Sequence, residues 1–238
     1  MNNTRPIVLL SLIVIMFSLC GCAELDKLSR DLNYNSGLSQ SEIASGLKEA
    51  LRVGSETVVK NLGQRNGFYN DQVAHIDLPR NLDKVRKVLK KVGYSRQLDD
   101  LELKLNRAAE KATPKAKALF INAIKQLTWQ DVKQIYNGPD DAATRYFQGK
   151  MSPHLKQEMT PVVNNTLAQV GVIKSYERIM DKYRSTPFVP DVRTDLTDYT
   201  VDKTLGGIFY YLAQEEAAIR KDPLKRTTEL LKRVFGYT

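Results

Sequence analysis

The chain has 238 residues, of which 42% are hydrophobic and 26% charged, and its formal net charge is +9. These proportions are those of an ordinary globular protein and exclude a low-complexity chain. Both cysteines, Cys20 and Cys22, lie near the amino end, so the rest of the chain offers no disulfide, no cysteine nucleophile and no thiolate metal site.

The first residues carry one positive charge, Arg5, followed by an apolar run from Ile7 to Leu19 broken only by Ser11 and Ser18. A run this short falls below the roughly 20 residues of a membrane-spanning helix and matches the apolar region of a secretory signal peptide. It ends in Leu19-Cys20-Gly21-Cys22, which resembles the lipobox of bacterial lipoproteins. That resemblance implies a signal peptide over residues 1–21, lipid attachment at Cys22 and permanent anchoring to the cell envelope. Ala23 after the cysteine implies the outer membrane, with the domain facing the periplasm. Export makes nucleic acid an unexpected partner despite the basic charge. Anionic lipid, cell-wall carboxylates or an envelope protein are expected instead.

Residues 22–37 read as a polar tether, which would reach roughly 50 Å if fully extended at about 3.3 Å per residue. Residues 38–238 form the predicted domain. Ser39 and Glu42 have the spacing of a capping box, opening a helix that runs to Gly63. Val73 to Leu78 alternates like one short strand, with no evident partner. Further helices are predicted from Pro79 to Gly93, from Ser95 to Ala112, and from Pro114 to Leu127. Thr128 and Asp131 repeat the capping pattern before a short helix ending at Gly138, and another helix spans 140–150. Ser152-Pro153 opens a helix to Gly171 that Pro161 should kink or split. Helices over 172–185, 195–221 and 223–235 complete an all-α domain of roughly nine to ten helices.

Chemistry-bearing patterns are few. His75 and His154 are the two histidines, and neither HExxH nor a helical His pair occurs, so no metal site and no cofactor are expected. There is no GxSxG elbow, and Gly206-Gly207 reads as a site of close helix packing. In the Ser95 helix, Asp99, Glu102, Asn106 and Glu110 fall on one polar stripe, with Arg107 beside it. Such a stripe serves as a ligand site, as a buried polar core or as a solvated face. Lys84, Lys87 and Lys91 share one face and offer contact to an anionic surface.

Gly67-Phe68, Leu78-Pro79, Asp99-Asp100, Asn106-Arg-Ala-Ala-Glu110, Asp141-Ala-Ala-Thr144, Tyr146-Phe147, Glu215-Glu216, Ile219-Arg220 and Val234-Phe235-Gly236 together resemble a group of bacterial lipoproteins, domain-of-unknown-function family 4197. The resemblance spans roughly Gly37 to Gly236. It implies a single helical domain behind a lipobox, and it marks Asn106, Arg107, Glu110, Thr144 and Tyr146 as a shared site or buried polar core. The expected function is a non-enzymatic binding or interaction module anchored in the envelope. The alternatives are a small-ligand or lipid-binding helical domain, with Asn106, Arg107 and Glu110 at the polar end of a cavity, and an enzyme using the 99–110 carboxylates.

Overall fold

The apolar face of the Ser95 segment organises the molecule, because five other helices pack against it in the computed structural model, which describes residues 37–236. The expected signal peptide, the expected lipid attachment at Cys22 and all of the expected tether but its last residue lie outside the described residues. In chain order the helices are α1 (Gln40–Gly63), α2 (Asp83–Lys91), α3 (Ser95–Lys125), α4 (Trp129–Tyr136), α5 (Ala142–Gln169), α6 (Val172–Arg184), α7 (Leu196–Lys221) and α8 (Glu229–Phe235). Two short 3₁₀ turns, Arg80–Leu82 and Pro223–Lys225, precede α2 and α8. Helix α3 lies against α1, α2, α5, α6 and α7, while α1 also packs on α7 and α8.

The all-helical class stands, and the helix count is corrected to eight among the described residues. Two pairs of predicted helices are fused. Helix α3 runs unbroken through Pro114, and α5 runs unbroken through both Pro153 and Pro161. An interior proline costs about 3 kcal/mol or more. Each large apolar side chain buried on either side returns about 1.5–3 kcal/mol. Leu98, Leu101 and Leu105 before Pro114, with Phe120 and Ile124 after it, are all buried, so continuity wins. Leu155, Met159, Val163 and Leu167 do the same for α5.

Local signals hold where partners are three residues apart. Ser39 and Glu42 form the capping box of α1, and Thr128 and Asp131 that of α4. Pro79 stands one step outside its expected place, capping the 3₁₀ turn rather than opening α2. The 223–235 segment is divided, because Arg226 turns back and donates to the carbonyls of Ile219 and Arg220.

Glycines mark the close approaches. A Cβ on Gly46 would sit 2.4 Å from Val234 Cγ2, so α8 lies directly on the α1 backbone. Gly207 does give close packing, but against the loop between α1 and α2: its Cβ would meet Ala74 and Phe68, each at 3.1 Å. No helix among the described residues is long and apolar enough to cross a membrane.

Candidate functional site

The polar stripe of α3 fastens the 64–79 loop to the body of the protein. Asn106 is fully buried; its Oδ1 accepts from the Ile76 amide and its Nδ2 donates to the Ile76 carbonyl, both at 2.9 Å. Nδ2 also reaches the Glu102 carbonyl. One turn on, buried Glu110 accepts from the amides of Phe68 at 3.3 Å and Tyr69 at 3.2 Å, and its other oxygen takes Arg107 Nη1 at 2.6 Å. Arg107 Nη2 donates to Asn66 Oδ1, and the guanidinium lies over the Tyr69 ring. Asn66 has φ of 69°, in the left-handed region that asparagine tolerates better than most residues. Asp71 takes two more of the loop's backbone donors, the amides of Val73 and Ala74, and also accepts from the Tyr211 hydroxyl. Burial raises the Tyr211 phenol, and the Asp71 carboxylate adds to this, pushing it up to about 12.

Glu102 is half-buried; one oxygen takes Arg86 Nη2 at 2.7 Å and the other faces His75 Nε2 at 3.3 Å. Asp99, by contrast, is exposed and joins none of these contacts. The stripe is therefore buried at Asn106 and Glu110, partly covered at Glu102 and Arg107, and solvated at Asp99.

Thr144 and Tyr146 belong to two other constellations, apart from the stripe. Thr144 is buried at the amino end of α5, where Glu216 of α7 accepts from its amide and hydroxyl, each at 3.0 Å, and from the Ala143 amide at 2.9 Å. Asp141, at the capping position, makes no side-chain cap, so Glu216 supplies it from another helix. Arg220 holds the Glu216 carboxylate at 3.1 Å and donates to the Ile135 and Tyr136 carbonyls at the end of α4. Tyr146 stands beside Asp131, and Lys150 pairs with Asp131 at 3.3 Å while sitting over the Tyr146 ring. Burial alone would raise the Asp131 carboxyl, but hydrogen bonds from the Thr128 hydroxyl and amide, Tyr146 and Lys150 bring it down to about 2.

Lys84, Lys87 and Lys91 are exposed on α2. The last turn of α2 runs through Gly93 into Tyr94, which borders an open groove of about 620 Å³ between the start of α3 and helix α6. Tyr94, Arg96, Gln97 and Asp100 line one side; Ser175, Arg178, Ile179 and Lys182 line the other. Deep in the groove, buried Ser175 accepts from Lys104 at 2.7 Å and donates to Asp100 at 3.2 Å. Asp100 also pairs with Lys104 at 2.7 Å. The Ser175 proton thus points at a carboxylate already tied to a cation, an arrangement suited to holding a polar ligand more than to activating a nucleophile. At the rim, Lys182 covers the Tyr94 ring, while Arg96 and Arg178 are exposed.

Sequence reading missed this groove, and it missed Glu216 as the partner of Thr144. The groove joins residues 75 positions apart, as Asp100 and Ser175 are. Glu216 stands beside Glu215, and only the helix's packing decides which of the pair turns inward.

The family described as protein of unknown function (DUF4197) matches residues 37–236. The chain belongs to that family. No curated protein and no solved structure matches it.

Proposed function

We propose that the chain is a lipid-anchored envelope protein whose helical domain is a non-enzymatic binding module, and that the α3–α6 groove takes an anionic envelope ligand. The groove carries this reading. Its walls hold the cations Arg96, Arg178 and Lys182 against the carboxylates Asp100 and Asp181, and Asp100 is already neutralised by Lys104. The exposed lysines of α2 extend the positive field along the approach to Tyr94. Buried Asn106 and Glu110 favour the same reading from the other side, because their hydrogen bonds are committed to the loop and leave no free acid or base there. The lipobox ending at Cys22 supports the anchor, and the tether sets how far the groove works from a membrane.

The reading is tested in intact cells with a photo-crosslinking residue in place of Gln97. A reproducible adduct that is lost when Arg178 and Lys182 are both changed to Glu supports it. Adducts with only random abundant neighbours, indifferent to those changes, overturn it. The anchor is tested separately: Cys22→Ala should abolish incorporation of labelled fatty acid and move the protein out of the membrane fraction.

A further inference from the structure

His75, Asp77 and Glu102 place one imidazole nitrogen and two carboxylates so that their ligand atoms all lie within 4.8 Å of one another. His75 Nδ1 is 2.6 Å from the Tyr69 carbonyl oxygen, which can only accept, so Nδ1 carries a proton. In the neutral ring Nε2 then presents a lone pair. That lone pair faces Glu102 Oε1 at 3.3 Å and Asp77 Oδ1 at 3.9 Å. When Nε2 is unprotonated, the three acceptors converge as a site for a cation.

We propose that these three residues bind a divalent first-row transition ion of the zinc type. For bonds of about 2.0–2.1 Å, a tetrahedral site has ligand-to-ligand edges of about 3.3 Å, which the His75–Glu102 separation already meets. The mixed imidazole and carboxylate set suits such an ion better than calcium or magnesium, which prefer oxygen alone. The Nδ1–H bond to a backbone carbonyl is the outer contact that orients a metal-binding histidine.

The backbone around the site is held in place. Asn106 fixes Ile76 on both of its polar groups, and the Tyr199 hydroxyl donates to the Asp77 carbonyl at 2.8 Å. The Asp77 side chain is 82% exposed and can swing in to close its longer edge. Arg86 occupies the other oxygen of Glu102, so its positive charge opposes the ion and keeps the affinity moderate.

The test is zinc titration of the full, untagged chain in detergent, followed by calorimetry and by the ring nitrogen signals of His75. One equivalent should bind, with a shift of the His75 Nε2 signal. H75Q and E102Q should each weaken binding by at least about 10-fold, while H154Q leaves it unchanged. R86Q should tighten it, a gain that a merely structural ion pair does not give. Ring signals of wild-type His75 that stay put under saturating zinc overturn the proposal, whether or not the variants fold. Binding unchanged in both H75Q and E102Q overturns it as well.

Discussion

Asn106 gives Ile76 both of the backbone hydrogen bonds that a neighbouring β-strand would give it. Among the described residues there is no strand for this segment to pair with, so one carboxamide on α3 replaces the ladder. Two buried backbone groups depend on that side chain.

Asn106→Ala should therefore destabilise the fold by about 2–4 kcal/mol, since each orphaned buried group costs about 1–3 kcal/mol. Asn106→Asp keeps the acceptor for the Ile76 amide but sets a carboxylate against the Ile76 and Glu102 carbonyls, and it should be at least as damaging. Denaturant unfolding measures the loss, and amide exchange at Ile76 should speed up more than exchange in α5.

Glu216→Ala removes the cap of α5 and leaves the mostly covered Arg220 without its carboxylate. Breaking a buried pair from one side costs about 3–5 kcal/mol, so this change should rank among the most disruptive in the chain. Arg145→Ala, which removes an exposed pair with Asp141, should shift the unfolding midpoint little.

Gly46→Ala and Gly206→Ala should have opposite signs. The first drives a methyl group into Val234 and should cost about 1–3 kcal/mol. The second adds one where nothing lies within 4 Å, in a helix interior, and should stabilise by about 0.5–1 kcal/mol. Thermal melts of the two variants decide.

Asp131 links stability to pH. Its carboxyl is held down to about 2 in the fold, against an ordinary value of 3.8. The stabilisation is complete above about 4 and is lost as pH falls from there through about 2. Unfolding of the wild type should therefore become easier across that window, and the gap between wild type and Asp131→Asn should narrow as the pH drops.

How far the sequence could be read follows from the distance between partners. The capping boxes at Ser39 and Thr128 were legible because each closes over three residues. The α3 stripe was legible as a stripe, since Glu102, Asn106 and Glu110 keep helical spacing, but its destination was not: Asn106 meets a residue 30 positions away, and Glu110 one 42 positions away. Asp99 shares the spacing and yet faces water. The prolines misled for the opposite reason, because a local penalty was read where burial on both sides outweighs it. His75 carried no motif, and its neighbours became visible only once the loop was folded onto α3.

The contact between Gly46 and Val234, reinforced by an ion pair from Arg233 to Glu42, sets the first and last helices of the described domain side by side. The fold is in effect a ring cut at one point, and the cut need not lie there. A circular permutant opened in the exposed stretch around Phe188, with a short linker joining α8 to α1, should keep the same core and exchange an open junction for a covalent one.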